Sequence, residues 1–151
     1  MGPTSVDALH GLPFFENMDT CHVNRLVGMA KEVGFEKDQV IFREEEAGRQ
    51  FHIVLTGKVA LELTTSSGRS RVLTVEGGHE LGWYFMTPET GKYFRARALE
   101  PVRTLAFDGK ELSKACEKDA LLGQQITRRL LRDATGRLEA TIVRFHDSHG
   151  A

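Results

Sequence analysis

The apolar positions of this chain change their period along its length. From Val33 to Leu63 short apolar blocks alternate with polar residues, each block closed by a turn residue, the pattern of consecutive antiparallel strands. Strand side chains alternate with a period of two, so Phe51, Ile53 and Leu55 are expected on a buried face with His52 turned outward. In the next block Val59, Leu61 and Leu63 are expected inside, leaving Lys58, Ala60 and Glu62 to solvent. Thr56-Gly57 supplies the reversal between the two, since glycine is free to take positive φ. Thr65 to Gly68 reads as an exposed hairpin loop, Gly77-Gly78 interrupts the pattern, and two further strands follow around Tyr93 to Leu99 and Val102 to Phe107. Together these make a barrel or sandwich signature.

Helical periods flank the strands. Pro13-Phe14-Phe15 leads into a helix with Asp19 or Thr20 as its N-cap and Val23, Leu26, Val27 and Ala30 as its buried stripe. Asp108 with Glu111 makes a capping box, and Asp119 caps a second, longer helix. In that helix Leu122, Ile126, Leu130, Ala134, Leu138 and Ile142 recur at four-residue steps, which reads as one apolar stripe. A stripe that long calls for a partner, and the expectation is a homodimer through these six residues.

Composition removes several classes of function. A length of 151 residues fits one domain, and 20 basic against 21 acidic residues argue against a general nucleic-acid or anionic-membrane surface. No run approaches the ~20 apolar residues of a membrane span, and the N-terminus has no signal pattern, so a cytoplasmic protein is expected. Cys21 and Cys116 lie in no metal or redox spacing and are expected to be packing residues. The six histidines include no His-x-His pair, and no nucleophile, base and orienter stand together, so neither a metal site nor an enzyme is expected. Arg128, Arg129, Arg132, Arg137 and Arg144 read as a solvated face partly paired to Asp133 and Glu139. No helix-turn-helix follows them, so a protein partner is expected rather than direct contact with nucleic acid.

The order Val40-Ile41-Phe42-Arg43-Glu44, a short polar loop ending in Gly48, then Phe51-His52-Ile53-Val54-Leu55-Thr56-Gly57-Lys58-Val59 resembles the opening half of a cyclic-nucleotide-binding domain. This is the sensor module of the catabolite-activator and kinase-regulatory-subunit families, and the resemblance extends from about Leu12 to about Ile142. It implies a mainly β fold with flanking helices: a double-stranded β-helix jelly roll with an N-terminal helix and a long C-terminal helix. The expected layout is a tail over 1–12, the roll with its flanking helices over 13–118, a dimerisation helix over 119–145 and a tail over 146–151. Asp38 and Glu45 stand where the family usually has glycine.

The resemblance also implies a site. In the family, a Gly-Glu-Leu-Ala-like run opens a short helix whose amides hold the cyclic phosphate; the Glu takes the ribose 2'-hydroxyl and a later Arg pairs with the phosphate. Here the matching run is Gly82-Trp83-Tyr84-Phe85, with Trp83 at the Glu position. Indole has one N–H donor and no acceptor comparable to a carboxylate. Counting back from Ala98-Leu99-Glu100 puts Lys92 at the phosphate-pairing position. Parity agrees, setting Lys92, Phe94, Ala96 and Ala98 inward and Arg95 and Arg97 outward, while a one-residue slip would bring Tyr93, Arg95 and Arg97 into the pocket. The candidate ligand residues are therefore Gly82, Trp83, Tyr84, Phe85, Lys92, Tyr93, Arg95 and Arg97. Trp83, Tyr84 and Phe85 either fill the space of a nucleotide or wall a site for a planar ligand. The implied function is a regulatory or sensor module without catalytic activity, needing no cofactor beyond a cyclic nucleotide or another small anionic or planar ligand. The alternative is a structural or protein-interaction module with an aromatic-filled pocket.

Overall fold

The computed structural model describes residues 9–46, 48–87, 89 and 94–148, with Trp83 in its backbone only. The chain divides into two compact units, residues 1–114 and 115–151. In the first unit, a 3-10 turn at Pro13–Phe15 precedes helix α1 (Thr20–Met29). Eight strands follow: β1 (Lys31–Phe35), β2 (Val40–Phe42), β3 (Gln50–Thr56), β4 (Lys58–Thr65), β5 (Gly68–Glu76), β6 (Glu80–Leu81), β7 (Phe94–Ala98) and β8 (Val102–Asp108). They form two four-stranded antiparallel sheets, one ordered β1-β8-β3-β6 and the other β2-β7-β4-β5. Helix α2 (Gly109–Lys118) leads on to α3 (Ala120–Ser148).

The punctuation of the sequence sets these limits. Gly57 turns β3 into β4 at φ 96°, and a Cβ there would lie 2.5 Å from the carbonyl oxygen of Pro101, so only glycine fits. Asp38, which stands where the resembled family has glycine, adopts φ 71°, the left-handed conformation that glycine would supply. The Asp108 carboxylate accepts from the N–H of Glu111 at 3.0 Å at the start of α2, and Asp119 accepts from Leu122 at 3.2 Å at the start of α3. In α1 the buried residues are His22, Val23 and Leu26, and Asp19 makes no side-chain cap bond.

Two layers of core result. Between the sheets lie Phe42, Val54, Val59, Leu61, Val75, Leu81, Tyr84, Ala96, Ala98 and Val102. A second, aromatic layer joins Phe14, Phe15, Phe51, Phe85 and Phe107, with ring centroids 5.1–5.9 Å apart. Strand β3 is therefore covered on both faces. His52 is not turned to solvent as its alternation with Ile53 suggested, but is 1% exposed. It shares a face with Val54 and lies in register with Ala106 and Leu81, which points it into the space between the sheets.

On the expected wet face of β4, Lys58 is exposed, but Ala60 is buried and Glu62 is 7% exposed. Cys21 is exposed rather than packed, and Cys116 is half-buried.

The four-residue stripe of α3 does not form one face. Each such step overshoots a full helical turn by about 40°, so five steps wind the stripe roughly 200° around the helix. Leu122, Ile126 and Leu130 are buried, whereas Ala134, Leu138 and Ile142 are exposed. Leu131, Val143 and Phe145, which the stripe omitted, are exposed alongside them.

Candidate functional site

Gly82 opens the cassette. At φ 87° it reverses the backbone between β6 and a 3-10 turn at Trp83–Met86, and a Cβ would lie 2.6 Å from the carbonyl oxygen of Gln50. The 3-10 turn sends consecutive aromatic side chains into different layers. Tyr84, 2% exposed, enters the core between the sheets, where its ring stacks on Phe94 at 6.1 Å and 5° between planes. Phe85 turns to the aromatic layer, 5.1 Å from Phe51. Tyr84 and Phe85 thus do not form one continuous wall. Lys92 and Tyr93 lie outside the described residues, as does the side chain of Trp83.

Strand β7 places its arginines by strict alternation. Phe94, Ala96 and Ala98 belong to the core between the sheets, so Arg95 and Arg97 project from the opposite face. There the buried carboxylate of Glu62, directly across the ladder from Arg95, engages both. Arg95 donates through Nε and Nη2 to Oε1 at 3.0 and 2.7 Å. Arg97 donates through Nε and Nη2 to Oε2 at 3.4 and 3.2 Å and through Nη1 to Asp38 at 2.8 Å. Burial pushes the Glu62 carboxyl up, but the hydrogen bonds and charges of the two guanidiniums outweigh it and hold the group below its ordinary value. Arg95 and Arg97 thus lie on the outward face that parity gave them, without the one-residue slip, and both are ion-paired to Glu62.

The interior between the sheets also holds the histidine that the alternation of the sequence turned outward. His52 Nδ1 and Thr104 Oγ1 are hydrogen-bonded at 3.0 Å, and both residues are buried. Burial lowers the imidazole from its ordinary 6.5 to about 4, so it is neutral at physiological pH. Glu80, also buried, lies in register with Ile53 on the opposite face of β3 from His52. Its place two residues before Gly82 was visible in the sequence, although its burial was not. An open cleft of about 400 Å³ beside Phe35, Pro101 and Arg103 shares no residue with the cassette.

Among the described residues no group of His, Cys, Asp and Glu is placed to hold a metal ion. No helix among them is long and apolar enough to cross a membrane.

The model of the cyclic nucleotide-binding domain family matches residues 32–119. The chain belongs to that family. It is 25% identical over 122 residues, 78% of its length, to a CRP-like cAMP-activated global transcriptional regulator of Mycobacterium tuberculosis, and the match covers 53% of that protein. The chain thus spans about half the length of this relative.

In fold it is similar to a putative cyclic nucleotide-binding protein from Geobacter metallireducens, with a TM-score of 0.79 at 24% identity over 89% of this chain and 98% of that one. The regulatory subunit of a cAMP-independent protein kinase A from Trypanosoma brucei superposes with a TM-score of 0.75 at 19% identity, covering 94% of this chain and 50% of that one. The eight antiparallel strands in two sheets, with a helix before and a long helix after, are the family's jelly roll. The relatives are transcription regulators and kinase regulatory subunits, and no catalytic family is indicated.

Tyr84 and Phe94 are packed together in the interior, and Arg95 and Arg97 are on the opposite face of β7, bound to Glu62.

Proposed function

We propose that the chain is a non-catalytic regulatory module of the cyclic nucleotide-binding fold whose pocket is filled by its own aromatic side chains, and which works as a pair of copies on a protein partner. One observation carries this reading: Tyr84, third in the matched cassette run, is 2% exposed and stacks on Phe94 between the sheets. A ring in that position excludes a ligand of similar size unless the core opens, and opening it exposes apolar surface at ~25 cal/mol per Å². Further support comes from Glu62, which occupies both nearby guanidiniums. A fold neighbour described as a cAMP-independent regulatory subunit provides a precedent for the same architecture without dependence on cAMP.

Regulation then passes through surfaces rather than through a bound nucleotide: a change at the module's partner face shifts an equilibrium between two arrangements of its elements. With the near-neutral charge balance, the reading includes no direct contact with nucleic acid or membrane and a cytoplasmic setting.

Calorimetric titration of the whole chain with cyclic AMP and cyclic GMP tests it. No heat and no thermal stabilisation are expected at millimolar nucleotide, whereas saturable micromolar binding would overturn the filled-pocket reading.

A further inference from the structure

The geometry points to a ligand site in the cleft at the ends of β1, β3 and β8, one that takes a free apolar amino acid. Arg103 holds the carboxylate, Glu36 the ammonium, and Phe35, Pro101 and Val102 the side chain. The site shares no residue with the cassette, so it stands whether or not the interior between the sheets is filled.

The cleft, about 400 Å³ and open to solvent, has the size of a small-molecule site. Three apolar side chains make its wall: Val102 is buried at the start of β8, Phe35 is half-buried across the ladder from it, and Pro101 precedes the strand. Gly34 makes room for the cation. Its φ is not positive, so no turn requires a glycine there. A strand glycine of that kind often marks a close approach, and a Cβ on Gly34 would lie 3.4 Å from Nη1 of Arg103.

Two groups of opposite charge line the same cleft, and each has capacity left. Arg103 donates through Nε to Glu32 at 3.0 Å, while its two Nη groups have no partner among the described residues. Glu36 is exposed, and among the described residues its carboxylate makes no ion pair, with Arg103 or any other group. An α-amino acid carries ammonium and carboxylate on one carbon, so it can engage both and lay its side chain on the wall.

Other occupants satisfy only part of this set. A phosphate ester would meet the carboxylate of Glu36 and a single guanidinium already engaged by Glu32. A simple amine would leave the Nη groups unused, and a chain terminus brings one charge without the other.

Binding should also be felt behind the wall. The Phe35 ring lies 6.0 Å from the buried imidazole of His52 in an edge contact, so a ligand packed on Phe35 changes the surroundings of that ring.

Nuclear magnetic resonance titration of the full chain with L-leucine and L-phenylalanine, each to about 50 mM, tests the site. Saturable shifts are expected at the amides of Gly34 to Glu36, Val102 and Arg103 and at the His52 ring, with a dissociation constant on the order of 0.1–1 mM. Leucinamide, which lacks the carboxylate, and N-acetyl-leucine, which lacks the ammonium, should each bind about 10-fold more weakly.

Two substitutions assign the charges. Arg103→Gln should weaken leucine about 10-fold and leave leucinamide unchanged, and Glu36→Gln should weaken leucine similarly and leave N-acetyl-leucine unchanged. Glu36→Gln, at an exposed position, keeps the test decisive if Arg103→Gln, which strands Glu32, fails to fold.

No saturable shift, equal affinity for the blocked forms, or leucine binding unaltered by either substitution would each overturn the inference. Shifts centred on Gly82 to Met86 would do so as well. Loss of this site leaves the filled-pocket reading intact, since the cyclic nucleotide titration reads the cassette separately.

Discussion

The two faces of β7 are finished in opposite chemistry. Inward, Phe94, Ala96 and Ala98 close against Tyr84 and the residues of the facing sheet. Outward, Arg95 and Arg97 close on the single carboxylate of Glu62, with Asp38 taking the remaining arm of Arg97. The inner closure is apolar and depends on area removed from water; the outer depends on charges that solvent partly screens. A site that bound an anion between the sheets would need the reverse arrangement, with a cation inside and a gap where the tyrosine sits. The comparison shows how strict alternation along one strand gives an apolar finish to one face and a charged, paired finish to the other.

The most severe break of the comparison is on the inner side. Tyr84→Ala removes a fully buried ring from between the sheets and should cost about 3–5 kcal/mol in chemical denaturation, with the cavity adding to the lost transfer energy.

Acid acts on the same interior through His52. Its folded value of about 4 lies below the unfolded 6.5, so the unfolded chain takes up a proton first. Stability is thus lost as pH falls from 6.5 to about 4, by roughly 3 kcal/mol from this one group. Denaturation followed from pH 7 to pH 4 should show that loss in the wild type and a shallower slope in His52→Gln. Equal slopes in the two proteins would mean that His52 is already solvated.

The outer face should respond least. Glu62→Gln leaves two guanidiniums without their carboxylate, but both reach water, and about 1–2 kcal/mol is expected at neutral pH. The Glu62 carboxyl is held below its ordinary value, so its contribution is present at neutral pH and is lost as pH falls through the folded value. The difference between wild type and Glu62→Gln should therefore shrink in acid. A penalty above that of Tyr84→Ala would reverse the ranking of the two faces.

The roll was legible in the sequence because strand alternation and turn residues act locally. Gly57, Asp38 and the caps at Asp108 and Asp119 each do what their residue type requires, whatever packs around them. Alternation failed where a strand is covered on both sides, since it assigns one wet face by default. His52 and Ala60 were misplaced for that reason.

Parity on β7 set Arg95 and Arg97 outward, yet their shared partner Glu62 could not be read, because it arrives from another strand across the ladder. In the cassette, Gly82 was visible as a point of backbone reversal, but the split of Tyr84 and Phe85 between two layers depends on the tight 3-10 turn. The stripe of α3 was misread through its four-residue step, which looks regular along the chain and drifts around the helix.

The central claim, that the interior is closed to a cyclic nucleotide by its own side chains, is tested most directly by titrating the intact wild-type chain with cyclic AMP and cyclic GMP while following amide exchange over residues 80–100. The account predicts no heat of binding and the same exchange in this segment with and without millimolar nucleotide. Saturable heat accompanied by slowed exchange at Gly82 to Met86 would contradict it.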